Sequence, residues 1–325
     1  MKNQRFRTVI LSIISLGIIA AFVYYLYANA NQYVKLLNVS TTGAAMLFMI
    51  WLAFPVLNGM QNILLYRSLD VEISYQNGFL LTAASTLANQ LPISGGIISK
   101  GFYLKRRYNL PYTKFISSTV ALFVCFLAAN GLLGISILLY WIVFEKIVIH
   151  PVLLMAYATM AGCVFIFRLP LDRIKMPKKI HNWSHQAIEG WMHISRNPVL
   201  LFRLIGLQLL LMLLLATRYW LAFHMLSQNV TITQTLLIAT ATILTQLVSI
   251  APGGLGVREA LAVGVASALG FDPGISLVAV GLDRLVATVG IVLTGWSSTV
   301  ILGKQIAEIP MKPDEQNVKE LDSTQ

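Results

Sequence analysis

The sequence predicts an all-α integral membrane protein built on an inverted-topology repeat: span, re-entrant hairpin, span, twice over. About six full spans and two broken hairpins are expected. Three observations carry this reading. The 325 residues are 57% hydrophobic and only 11% charged, against about 25% charged in soluble domains. Mean hydropathy is +0.72, and apolar runs of about 20 residues, the length a spanning helix needs, recur from end to end. Two of these runs are broken by proline and a glycine pair, and each break is followed by a basic residue.

The net charge of +11 does not point to nucleic acid. The basic residues cluster in short loops between apolar runs, as they do in cytoplasmic loops, where they also attract anionic headgroups. Cys125 and Cys163 each lie inside an apolar run, which suits small buried side chains and gives no disulfide framework or metal spacing.

Taken in order, residues 1–7 are basic and 8–28 apolar. Ala28-Asn29-Ala30 resembles a signal-peptidase site, but the apolar run exceeds the usual 7–15 residues of a signal core. A retained first helix with a cytoplasmic N-terminus is expected. Residues 41–66 make a second span, ending at Arg67. Residues 79–98 make a poor span, interrupted by Asn89, Gln90, Pro92 and Gly95–Gly96. A full crossing there would put Lys100, Lys105, Arg106, Arg107 and Lys114 outside, against the positive-inside rule. A hairpin entering and leaving on the cytoplasmic side avoids this. Residues 115–144 then cross outward and 151–167 return.

Residues 178–196 place Ile180, Trp183, Ala187, Trp191 and Ile194 on one helical stripe, the pattern of an interfacial amphipathic helix. His181 and His185 have the spacing of half a zinc site, but the HExxH glutamate is missing, and no metal is expected. Residues 199–223 cross outward. Residues 231–269 form the second broken segment, interrupted at Pro252–Gly256, and 275–302 cross inward past Asp283–Arg284. The membrane domain is thus 1–306, with repeat one at 41–144 and repeat two at 199–302. The polar tail, 307–325, is expected to be disordered and cytoplasmic.

Aligning Gly95–Gly96 with Gly253–Gly254 brings Lys100 onto Arg258, so both copies read GGxxx(K/R). Amides precede each break, Asn89 and Gln90 in the first and Gln246 in the second. The single helix at 151–167 makes the second copy run the opposite way, which is the architecture of many secondary transporters. A chance match of glycine pairs in an apolar chain is the rival explanation.

The broken segments also carry the chemistry. A helix N-terminus exposes unpaired N–H groups and a partial positive charge that suits anions, and glycine pairs let a phosphate approach the backbone. Arg258 can grip phosphate oxygens bidentately, whereas Lys100 offers a point charge. The bland alternatives are that Arg258 pairs with Glu259 or Asp283, and that Lys100 is a loop charge. Arg284 is a further anion-binding candidate, Glu259 and Asp283 are candidates for proton coupling, and Asn89, Gln90 and Gln246 are candidates for polar lining. Asp283–Arg284 could equally form an internal ion pair. Gly131 and Gly134 read as close helix packing. No catalytic residue and no cofactor is expected: there is no GxxxxGK(S/T) loop and no nucleophile–base set.

LANQLPISGGIISKG with KRRYNLP, APGGLGVREA, and GLDRLVATVG together resemble the flippase-like bacterial family related to the membrane region of lysylphosphatidylglycerol synthases. The resemblance runs to about Gly303, and its most specific piece is the PGGxGxxE pattern at Pro252–Glu259. It implies a multi-pass protein of the cell membrane that moves anionic phospholipids, such as phosphatidylglycerol or its lysyl ester, between leaflets. Full synthases of this type add a cytosolic lysyl transferase, for which no segment here is suited. Two alternatives stay open: handling of, or transferase chemistry on, a polyprenyl-phosphate or glycolipid carrier, and a non-transporting membrane partner of a synthase.

Overall fold

The computed structural model describes residues 40–90, 95–146, 148–163, 165, 189–246 and 256–308. The expected first span, the possible cleavage site, most of 178–196 and the tail beyond 308 lie outside the described residues, as do Gly253 and Gly254. Every regular element described is helical: α1 (Thr41–Ser68), α2 (Tyr75–Ala88), α3 (Gly95–Tyr108), α4 (Tyr112–Tyr140), α5 (Pro151–Gly162), α6 (Pro198–Met225), α7 (Ile232–Ala241), α8 (Val257–Ala268) and α9 (Pro273–Ala307).

Four of these helices are long and apolar enough to cross a membrane: α1, α4 with its π-helical extension to Glu145, α6 and α9. They coincide with four of the six expected spans. A fifth expected span, 151–167, appears as the 12-residue α5, too short in its described part to cross alone at 1.5 Å per residue. Large apolar side chains on the long helices face outward, with Met49 66%, Phe202 73% and Trp296 70% exposed. Such a surface suits hydrocarbon surroundings and would be costly in water.

The two halves of the chain have the same local construction. Helices α1 and α6 each have 28 residues. Each begins at a side-chain cap, Ser40 accepting from the Gly43 N–H and Asn197 from the Leu200 N–H. Each ends at a leucine, Leu69 or Leu226, with φ of −98° in both. A left-handed residue follows, Asp70 (φ 62°) or Ser227 (φ 58°), and the chain then closes by Val71 N–H to Tyr66 O or Gln228 N–H to Phe223 O. The next helix is capped by Ser74 in one half and Thr231 in the other. Both hydroxyls satisfy N–H groups that the first turn leaves without partners.

Helix α2 packs on α3, and α7 on α8, so each break is followed by an arm that returns alongside its partner. Each return arm ends at a left-handed residue, Asn109 (φ 56°) or Gly270 (φ 89°), just before the long helix α4 or α9. Helices α1 and α6 pack on one another and run antiparallel: Gly43 near the start of α1 lies against Met225 at the end of α6, while Gln61 near the end of α1 bonds to Leu204 O and Gln208 Oε1. Helix α9 also lies along α2, fixed at its far end by Tyr103 Oη to Gln305 Oε1 and Gln305 Nε2 to Asn77 Oδ1.

Gly131 and Gly134 do serve close packing. A Cβ at Gly131 would strike the Met160–Ala161 backbone, and one at Gly134 the Tyr157 ring. In the described part of the 178–196 segment, residues 189–195 are helical. Ile194 is buried in a cluster with Leu104, Phe115 and Leu200, and a Cβ at Gly190 would meet the Ser117 backbone. At these two positions the segment meets protein.

Candidate functional site

Three helices converge on one charged cluster. Helix α6 supplies Arg218 and Tyr219, the first turn of α8 supplies Arg258 and Glu259, and the middle of α9 supplies Asp283 and Arg284. Arg218 Nη2 lies 2.7 Å from Asp283 Oδ1, and both side chains are 2% exposed. The same guanidinium donates to the Asp283 carbonyl oxygen at 3.4 Å. Arg258 is more open, at 22% exposed, and only brushes the other carboxylate oxygen, Asp283 Oδ2, at 4.0 Å. Its Nε donates to Tyr219 Oη at 3.4 Å. Arg284 Nε approaches Glu259 Oε1 at 3.7 Å.

The sequence-adjacent pairs do not bind each other. Neighbours on a helix point about 100° apart, so Arg258 turns to Asp283 and Tyr219, and Glu259 turns to Arg284 and its own helix start. Glu259 Oε2 accepts the Gly256 N–H at 2.8 Å, where Gly256 holds φ at 81°. This capping bond uses one of the N–H groups that the sequence reading offered to an anion.

Charge bookkeeping gives the cluster its character. Among the described residues Arg218, Arg258 and Arg284 face Asp283 and Glu259, an excess of one positive charge. Asp283 is largely engaged by Arg218, and Glu259 is shared between Arg284 and the backbone. Arg258 is therefore the guanidinium of the three with the most access, and it meets its carboxylate only at 4.0 Å.

Arg218 is absent from the residues singled out in the sequence. The available signal was a lone arginine in the apolar run LLLATRYWLAF, a position where an ionisable residue is a functional candidate by default. Its partner, 65 residues away, is not legible from spacing.

The first half builds a smaller counterpart. Lys100 Nζ donates to Asn62 Oδ1 at 3.3 Å, and Asn62 Nδ2 donates to Asn58 Oδ1 and Thr82 Oγ1 at 2.8 and 3.1 Å. Asn62 and Tyr219 occupy the same position in α1 and α6, 22 residues into each. In both halves the basic residue of the return arm thus bonds to the equivalent side chain of the preceding span. Lys100 is not a loop charge: it is half-buried in the middle of α3.

Gly95 and Gly96 bring the two arms of the first hairpin together. A Cβ on Gly95 would lie 2.5 Å from Ala88 O, and one on Gly96 would overlap Asn89 Oδ1 and Ser85 O. The Gly96 N–H is taken by Asn89 Oδ1 at 2.8 Å. Asn89 thereby caps α3, and Gln90 bonds back to Thr86 O, so both amides serve the hairpin itself. Gln246 closes the 3-10 turn Thr242–Gln246 that follows α7.

Long apolar helices, with a charged cluster between three of the helices among the described residues, define a multi-pass membrane protein. Residues 12–295 match the family described as the lysylphosphatidylglycerol synthase TM region, and the chain belongs to that family. Comparison with curated proteins and with solved structures finds no match.

Proposed function

We propose that this protein moves anionic phospholipids between leaflets, with the headgroup phosphate taken by Arg258. The observation that carries this is the net positive cluster of α6, α8 and α9, in which Arg258 is partly exposed and only loosely held. Placing an arginine at the centre of a spanning helix costs roughly 2.5–3.5 kcal/mol on insertion scales. A phosphate crossing hydrocarbon unaided faces a larger cost. A guanidinium fixed in advance offsets the second cost while the acyl tails remain in lipid.

The matched construction of α1–α2 and α6–α7, together with the antiparallel packing of α1 on α6, supports an inverted repeat. In that arrangement Lys100 and Arg258 are equivalent stations reached from opposite faces, and rocking of one half against the other exchanges access between them. We place Lys100 on the cytoplasmic side, where Lys105, Arg106 and Arg107 continue α3. The enzymatic alternative is less well supported, because Glu259 and Asp283 are both engaged with guanidiniums. Proton coupling through either carboxylate would first require breaking those contacts.

The test is leaflet exchange in reconstituted vesicles, following fluorescent phosphatidylglycerol and phosphatidylcholine separately. Exchange of the anionic lipid well above protein-free vesicles, and above that of the zwitterionic lipid, is expected. Rates equal to protein-free vesicles for every anionic lipid tried would overturn the proposal.

A further inference from the structure

Asp283 lies between two guanidiniums that hold it unequally. Its Oδ1 sits 2.7 Å from Arg218, within a salt bridge buried on both sides, and its Oδ2 sits 4.0 Å from Arg258. The first contact fixes the carboxylate in place. The second is too long for a hydrogen bond and attracts Arg258 without capturing it. Among the described residues the Lys100 station shows no such feature: its partner is the neutral amide of Asn62.

We propose that Asp283 is a built-in competitor for Arg258, held at its post by Arg218, and that it sets how readily the second station releases an anionic headgroup. This rests on the reading of Arg258 as a phosphate site. A lone buried guanidinium would hold a phosphate too firmly for rapid release, and conduction through any site requires binding that is favourable yet weak enough to leave. Asp283 supplies the returning force. When a phosphate arrives, Arg258 leaves a carboxylate it never fully bonded; when the phosphate departs, that carboxylate takes over part of the compensation. Arg218 is the positioning residue. With Arg218 holding one oxygen, Asp283 cannot swing over to form a close pair with Arg258 that would shut the site.

The experiment measures two quantities in the full-length protein. One is the affinity for dihexanoyl phosphatidylglycerol in detergent, and the other is the rate of labelled phosphatidylglycerol exchange in vesicles. Asp283→Asn is expected to bind about tenfold more tightly, as removal of a competing charge near 4 Å in a partly hydrated site predicts, and to exchange more slowly at saturating lipid. A residue that merely supports the fold would lose affinity and rate together, so tighter binding with slower turnover is diagnostic. Asp283→Asn leaves Arg218 unpaired and can fail to fold. The double variant Arg218→Met/Asp283→Asn removes the buried pair as a unit, a replacement that proteins commonly tolerate. It should show the same tightening to a smaller degree. If the wild type binds and moves the lipid while the folded variants bind it equally or more weakly, Asp283 is not a competitor and this inference is overturned alone. If the wild type neither binds nor moves it, the phosphate reading of Arg258 fails, and the role of Asp283 falls with it.

Discussion

Arg258 and Arg218 sit one helix apart, yet they should respond differently to mutation. Arg258 is partly exposed and loosely compensated, so Arg258→Lys should fold normally and recover only part of the exchange rate, because a point charge cannot reproduce the bidentate grip. Lys100→Ala should give a milder transport defect. Arg218 is the opposite case. Its removal takes the close partner from the Asp283 carboxylate, which is 2% exposed and otherwise meets only Arg258 at 4.0 Å among the described residues, and breaking a buried pair from one side costs about 3–5 kcal/mol. Arg218→Met should therefore lower the midpoint of thermal unfolding in detergent by several degrees, whereas Arg258→Ala leaves it nearly unchanged. Equal melting of the two variants would contradict this division between a held pair and an open cation. At this scale the sequence disclosed Arg258, Glu259, Asp283 and Arg284, because charges inside apolar runs stand out. It did not disclose who pairs with whom. Pairing between α6 and α9 depends on helix rotation and contact, which no local pattern encodes.

Elements explain the glycines. The sequence reading gave Gly95 and Gly96 to the ligand, on the ground that a phosphate needs close backbone approach. The structure instead fills that space with the C-terminal end of α2, and Asn89 takes the Gly96 N–H. The pattern of breaks was legible because a proline and a glycine pair within a few residues of one another, with polar amides nearby, interrupt an apolar run. Their use was not, since close approach to a ligand and close approach to another helix demand the same residue. Gly96→Ala should separate the arms of the first hairpin, since the new Cβ meets the Ser85 carbonyl oxygen as well as the movable Asn89 side chain. Overpacking of this kind costs about 1–3 kcal/mol, and Asn89→Ala, which removes only the cap, should cost about 1 kcal/mol. Chemical denaturation in mixed micelles ranks the two, and the account requires the glycine variant to be the less stable. Helices α4 and α5 follow the same logic at Gly131 and Gly134, where the sequence reading of close packing agrees with the contacts.

Over the whole molecule, the repeat first suggested by two glycine pairs gains support from features no sequence alignment displayed: equal helix lengths in α1 and α6, matched caps, and left-handed residues at Asp70 and Ser227. Few side chains match between the two halves, whereas the backbone punctuation does, so a comparison of residues sees little. If the copies are inverted, the equivalent turns before α4 and α9 face opposite sides of the membrane. Single cysteines at Asn109 and Asp272 should then react with an impermeant maleimide from opposite faces, Asn109 from the cytoplasm. Reaction of both from one face would exclude the inversion. The claim that binds all three scales is that the loosely held guanidinium of Arg258 carries the headgroup phosphate across. Its most direct test is the exchange rate of fluorescent phosphatidylglycerol in vesicles containing Arg258→Ala protein, with folding verified by its melting curve and wild type alongside. The account predicts that wild type exchanges the lipid and that Arg258→Ala falls to the protein-free rate; exchange by folded Arg258→Ala at the wild-type rate would contradict it.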